Sequence, residues 1–203
     1  TGFCSATNIA QVRPGEKVLV IGCGGLGLSA IQGLALKTPG MLIAVDLFEE
    51  KLAMARQFGA THTFLNTGDA DGLYQQIWDL TWGIGVDYAL DFSGMFGQED
   101  SLPLGVMCLR KGGHFLFVGS ADPAMESIPI SPFHLQQWQK TITGVLFGSA
   151  QFRTDIPRIM GLMEQGQVNL KDLITLELPL EEINTAIANL EAQNKVARQV
   201  IRF

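Results

Sequence analysis

The chain has 203 residues, 47% of them hydrophobic and 17% charged, a length for one large domain or for one domain and a piece of another. Twenty acidic side chains against fourteen basic ones give a formal net charge of −6, and no basic stripe is present to suit nucleic acid or an anionic membrane. The longest apolar stretches are of strand length and are broken by Gly, Asp or Lys, so neither a membrane span nor a signal peptide is read.

In chain order, residues 1–10 read as helical and Pro14-Gly15 as a turn. The β-branched run 17–21 (KVLVI) predicts a buried strand. The glycine-rich stretch 22–27 follows as a loop, then an apolar helix to about residue 37. A second strand is expected over 41–45 and a helix over 48–58, with Gly59 as its C-terminal cap. A third strand (61–65), a helix (72–80), a fourth strand (86–92), a helix (98–109), a fifth strand (114–118) and a sixth (142–146) continue the series. Strands alternating with helices predict an α/β fold with a doubly wound parallel sheet, a Rossmann fold. The tail breaks that series. It reads as a helix over 154–165 with Pro157 in its first turn, a strand over 174–178, an amphipathic helix carrying Ile183, Ala186, Ile187 and Leu190, and a terminal strand over 199–203.

The first strand runs into Gly22-Cys23-Gly24-Gly25-Leu26-Gly27, a G-x-G-x-x-G. In that pattern Gly22 allows the tight turn, Gly24 lets the backbone approach a pyrophosphate, and Gly27 lets helix and strand pack closely. The amides of Gly25 and Leu26 then face the phosphates from a helix N-terminus, which carries roughly half a positive charge. The motif alone is weak; its place between a predicted strand and a predicted helix strengthens it. Asp46 ends the second strand, near the roughly 20-residue spacing at which such folds place an acid on the adenine ribose. A carboxylate there repels a 2′-phosphate, and Leu47 and Phe48 offer no Arg to receive one, so NAD is favoured over NADP. A solvated turn Asp and an S-adenosylmethionine site remain as alternatives.

The segments TGFCSA, VRPGEKVLVIGCGGLGL and AVDLFEEKLAMARQFGA, followed by LRKGG, GVLFGS, LIT and the closing RQVIRF, resemble the zinc-dependent medium-chain alcohol dehydrogenase family over essentially the whole chain. The resemblance implies roles residue by residue. Thr1 matches a threonine packed on the nicotinamide, and Lys51 a lysine that joins Asp46 at the adenine ribose. Phe92 and Ser93 match positions beside the adenosine. Val118, Leu146 and Phe147 match positions whose backbones hold the carboxamide, although simple strand core explains them equally well from periodicity. Arg198 matches an arginine that reaches the pyrophosphate, a role its charge and fork geometry suit.

The family's G-H-E histidine and four-cysteine zinc lobe are absent from this sequence. Cys4, Cys23 and Cys108 lack metal-ligand or redox spacing, and their odd number argues against a disulfide framework, so a reducing cytoplasm is the expected compartment. His62, His114 and His134 read as structural or surface residues, and Cys4 as packing. The chain opens Thr1-Gly2-Phe3 without Met, and a fragment or processed chain is expected. Residues 1–143 are then the dinucleotide-binding domain, and 144–203 the C-terminal segment of an incomplete catalytic domain. The expected activity of the parent is reversible hydride transfer between an alcohol and its aldehyde or ketone. NAD is its cofactor, zinc belongs to the full-length protein only, and no catalytic or metal-ligating residue is expected here. A homodimer or homotetramer is implied. A zinc-independent quinone or enoyl reductase of the same superfamily and a non-catalytic dinucleotide-binding module are the competing readings.

Overall fold

The computed structural model describes residues 1–94, 98–121, 123–124, 126–192 and 198–203, with only the backbone of 98–100. The chain starts in a helical turn, α1 (Gly2–Cys4), that widens into a π-turn over Ser5–Ile9. The β-branched run forms β1 (Lys17–Ile21), and its successive residues serve opposite faces, as a strand's period of two requires. Val18 and Val20 enter one core with Leu28, Ile31 and Leu34 of α2 (Gly25–Ala35). Leu19 and Ile21 enter the other, with Ile77 of α4 (Ala70–Leu80) and Leu102 of α5 (Gln98–Cys108). Both faces of the strand are therefore covered, as in parallel sheets generally.

Among the described residues six strands form the main sheet, in the order β3-β2-β1-β4-β5-β6. They are β3 (His62–Leu65), β2 (Met41–Asp46), β1, β4 (Val86–Asp91), β5 (Leu109–Phe117) and β6 (Thr141–Gly144), and every neighbouring pair is parallel. The order reverses between β1 and β4, the switch point at whose carboxyl edge such sheets bind ligands. The helix α3 (Glu49–Gln57) crosses from β2 to β3, and Gly59 follows it at φ +114°, a conformation that favours glycine.

Several boundaries differ from expectation, three of them with a clear physical consequence. β5 begins at Leu109 rather than 114, bridging an irregularity in its register with β4 between Val86 and Tyr88. β6 stops at Gly144, so Leu146 and Phe147 lie beyond it, in a turn. The helix α7 (Phe152–Glu164) starts earlier than 154 because the carboxylate of Asp155 accepts the Gln151 N–H at 2.8 Å and fixes the first turn. Pro157 thus sits beyond the first turn rather than within it. A short helix, α6 (Pro132–Gln137), precedes β6.

The tail carries its own two-stranded parallel sheet of β7 (Ile174–Pro179) and β8 (Arg198–Arg202), with α8 (Ile183–Glu191) between them. Two polar anchors tie it to the main body. Asp155 accepts from Asn8 Nδ2 at 3.0 Å, and Arg158 donates to Asn8 Oδ1 and Thr7 Oγ1. Gln32 on α2 exchanges two hydrogen bonds with the backbone of Asn169, at 3.0 and 2.6 Å. Leu173 also enters the first core, with Leu170 packed against it, and Val168, Leu178 and Ala186 are buried, but the outer apolar faces of the tail's helices stand open. Phe152, Ile156 and Met160 on α7 are exposed, and so are Ile183, Ile187 and Leu190 on α8. Among the described residues no helix is long and apolar enough to cross a membrane.

Leu19 is fully buried at the centre of the sheet, whereas Met160 is more than half exposed. Leu19→Ala is expected to cost about 2–5 kcal/mol in urea unfolding, and Met160→Ala below about 1 kcal/mol. The Gln151 N–H, Asn8 and Arg158 hold the Asp155 carboxyl below its ordinary range despite burial. The folded state therefore resists this proton, so the contribution of Asp155 is complete above the unfolded value of about 4 and is lost as pH falls below it. Asp155→Asn is expected to flatten the acid limb of the stability curve, measured by thermal melts across pH; an unchanged limb contradicts this.

Candidate functional site

At the end of β1 the chain turns sharply. Gly22 has φ +88°, and its N–H donates to Val45 O at 2.8 Å. A Cβ on Gly22 would lie 2.9 Å from the backbone carbon of Phe92 and the nitrogen of Ser93. A Cβ on Gly27 would strike the carbonyl of Gly22 itself. Both glycines are therefore required by the protein's own packing. Gly24 is different. Its φ is −72°, and a Cβ there would meet nothing within 4 Å. Neither backbone nor packing asks for glycine, so the open space over Gly24 is the cradle that a side chain would fill.

Gly24 is the N-cap of α2, and Leu28 N–H donates to its carbonyl at 2.9 Å. The first N–H groups of such a helix lack intrahelical acceptors and present the positive end of its dipole. Arg198, at the start of β8, lies directly over Gly25, where any Cβ would collide with its guanidinium. A helix N-terminus and an arginine thus converge on one face of the loop, as an anion requires.

Asp46 ends β2 with only 8% of its surface exposed. Its Oδ2 accepts the Cys23 N–H at 2.6 Å and its Oδ1 the Phe48 N–H at 3.0 Å. Lys51 Nζ stands 4.0 Å from Oδ1 and 4.8 Å from the centre of the Phe48 ring. Asp46 is therefore no solvated turn residue: it ties the glycine loop to the β2–α3 connection. Cys23 is fully enclosed, and burial, with Asp46 close by, pushes its thiol far above the ordinary range, which leaves it unreactive.

The opposite end of the cleft is assembled from remote segments. A Cβ on Gly2 would strike the Leu26 carbonyl, so the start of the chain lies against the glycine loop. The Thr1 carbonyl accepts from Ser5 N and Oγ at 2.8 and 2.9 Å. The same carbonyl lies where a Cβ on Gly148 would stand. Phe147, Gly148 and Ser149 run through left-handed backbone at φ 51°, 69° and 49°, and strain of this kind concentrates at functional sites. Leu146 is 77% exposed and Phe147 61%, which excludes strand core for both. Val118 is half-buried, and its N–H donates to Asp91 O at 3.1 Å. Phe92 buries its ring in the core while its N–H donates to Ile21 O. These contacts link the segments that carry the expected cofactor residues around the glycine loop at the carboxyl edge of the sheet.

Asp91 was not singled out. It ends β4, is fully buried, and accepts from Ser93 N and Oγ at 2.8 and 2.6 Å and from Ser101 Oγ at 3.0 Å. Burial pushes its carboxyl up, against those hydrogen bonds. The signal available was an acid closing a strand at the switch point, followed two residues on by a serine. Gly2 and Gly148 were missed because their need for glycine arises from remote backbone.

The histidines stand apart. His62 contacts Thr61, His114 stacks on Tyr88, and His134 leans on Trp138. Among the described residues no group of three or more His, Cys, Asp or Glu is placed to hold a metal ion. Gly27→Ala is expected to lower the melting temperature by roughly 5 °C or more, and Gly24→Ala by about 2 °C or less, in thermal melts; equal effects would contradict the distinction drawn between the two glycines.

A family model described as zinc-binding dehydrogenase matches residues 25–165. Putative alcohol dehydrogenase D of Mycobacterium tuberculosis is 35% identical over 190 residues, 94% of this chain and 50% of that protein. S-(hydroxymethyl)glutathione dehydrogenase of Paracoccus denitrificans is 34% identical over 211 residues, 99% of this chain and 54% of its own length. Benzyl alcohol dehydrogenase from Acinetobacter calcoaceticus superposes with a TM-score of 0.89 at 29% identity, over 100% of this chain and 54% of that one. The chain spans about half the length of the relatives it matches. With its glycine turn, its parallel sheet and a family match across most of its length, this chain belongs to the zinc-binding dehydrogenase family.

Proposed function

We propose that this chain is the NAD-binding portion of an oxidoreductase that moves hydride between an alcohol and its aldehyde or ketone, with zinc held by parts of the protein outside these residues. The observation that carries the reading is Gly24. It is a glycine that the fold itself does not require, at the N-cap of α2 and next in sequence to Gly25, over which the guanidinium of Arg198 lies. A ligand whose backbone-close anion occupies that space explains both the glycine and the arginine. When bound, NAD supplies the two-electron hydride acceptor.

The chain's own residues bind and orient. The amides of Gly25 and Leu26, with Arg198, hold the pyrophosphate, while Gly22 and Gly27 set the loop's shape. Asp46, its carboxylate already oriented by two backbone N–H groups, receives the ribose hydroxyls with Lys51 beside it. That buried negative charge disfavours a 2′-phosphate, which supports NAD over NADP. Phe92 and Ser93 border the adenosine. Thr1 and the backbones of Val118, Leu146 and Phe147 hold the nicotinamide end, and the exposed side chains of Leu146 and Phe147 furnish an apolar wall that keeps water from it.

Residues 1–143 act as the dinucleotide-binding domain and 144–203 as part of a second domain. The open apolar faces of α7 and α8 support that division, since apolar faces of this extent are normally covered. Parallel titration with NADH and NADPH, followed by cofactor fluorescence, tests the reading. NADH is expected to bind the more tightly. Asp46→Ala should abolish the preference, and Gly24→Ala and Arg198→Ala should each weaken NADH by about tenfold or more. Equal binding of both cofactors by the parent chain removes the NAD assignment, and binding of neither removes the site.

A further inference from the structure

The carboxyl of Asp91, Ser93 Oγ and Ser101 Oγ form a closed ring. Ser93 Oγ lies 2.6 Å from Asp91 Oδ1, Ser101 Oγ 3.0 Å from Oδ2, and the two hydroxyls 2.8 Å from each other. Asp91 is fully buried and Ser101 is 5% exposed, so the ring lies beneath the cleft rather than in it. Around the same residue the backbone converges. The Asp91 carbonyl accepts Val118 N–H at 3.1 Å and Gly119 N–H at 3.0 Å, and the next N–H, of Phe92, donates to Ile21 O at 2.8 Å. The Ser93 N–H is held by Asp91 Oδ1 at 2.8 Å. That nitrogen is one of the two atoms standing 2.9 Å from where a Cβ of Gly22 would be.

One residue therefore connects the wall behind the glycine turn, the Ser93 position and the Val118 position. Resting on the NAD reading above, we propose that Asp91 is a positioning residue of the dinucleotide cleft. Acting through the ring with Ser93 and Ser101, it sets the spacing between the adenosine side at 92–93 and the carboxamide side at 118. It touches no ligand itself. Its side chain holds Ser93 and its carbonyl holds Val118, so a displacement at one end is passed to the other through a single buried group. The ring also places a demand on protons. Three oxygen–oxygen contacts need three hydrogens, and two serines bring two. An amide at position 91 brings its own, donating from nitrogen to Ser101 Oγ and accepting at oxygen from Ser93.

The test combines NADH titration with thermal melts on the full chain. Ser101→Ala and Asp91→Leu are expected to weaken NADH binding by about tenfold, with the double variant no weaker than the worse single one, because both act through one ring. Asp91→Asn, close to Asp in size, should recover most of the loss, because it keeps an acceptor for Ser93 and brings a donor for Ser101. Should Asp91→Leu fail to fold, Ser101→Ala and Asp91→Asn carry the test alone. Unchanged NADH affinity in Ser101→Ala, additive losses in the double variant, or an Asp91→Asn as weak as Asp91→Leu would each overturn the inference while leaving the NAD reading intact. Absence of NADH binding by the parent chain would instead remove that reading, and this inference with it.

Discussion

The approach of α2 to β1 is the constraint on which the rest of the molecule depends. Gly27 stands so close to the turn that a Cβ would occupy the position of the Gly22 carbonyl. With hydrogen in that place, the helix drops onto the central strand, and Leu28, Ile31 and Leu34 reach Val18 and Val20. The same closeness brings the first turn of α2 to the carboxyl edge of the sheet, where the strand order reverses. A larger residue at Gly27 would lift the helix and separate its N-terminus from every other part of the cleft. Core packing and the placement of the α2 N-terminus thus rest on one van der Waals contact.

Around that contact the cleft is closed by groups that arrive from three other places. Asp46 reaches in from β2 and grips the loop through the Cys23 N–H. Phe92 and Ser93 form the wall behind Gly22, held through Asp91. Thr1 and Gly148 meet over the far end, in a segment of left-handed backbone that only close packing sustains. The charges are separated in the same way: one carboxylate, Asp46, behind the loop, and a helix dipole with an arginine, Arg198, at its front. The chain is acidic overall, yet the loop offers a local positive field because short-range dipoles and one guanidinium outweigh net charge at that distance.

Legibility followed range. The Gly22–Gly27 loop, β1 and the start of α2 could be read from adjacent residues, because turn, strand and helix here are each decided within a few positions. The C-terminal cap at Gly59 was legible for the same reason. The Ser131-Pro132 start of α6 is equally local, with a serine N-cap followed by proline at the first helical position, but it was not among the expected elements. Misplaced boundaries trace to interactions that periodicity does not carry. The start of α7 moved because a side chain, Asp155, accepts from the backbone of Gln151. β6 ended early because the chain leaves the sheet at Val145 for the turn that meets Thr1. Leu146 and Phe147 looked like strand core in a hydrophobic pattern, and only their exposure separates them from it.

By itself the sequence determined the α/β alternation, the glycine turn and its acid, because these are written in local stereochemistry: where φ must be positive, where a Cβ cannot stand, where a strand of branched residues must end. Its resemblance to a family supplied the roles of Thr1, Lys51 and Arg198, which no local rule assigns. Tertiary structure alone decided which glycines the fold needs and which one it does not. It also decided that Arg198 lies over Gly25, that Gly148 lies against Thr1, and that Asp91 is buried at the centre of the cleft's wall. The reason is physical: each of these is a contact between atoms distant in the chain, settled by the packing of whole elements rather than by the preferences of neighbouring residues.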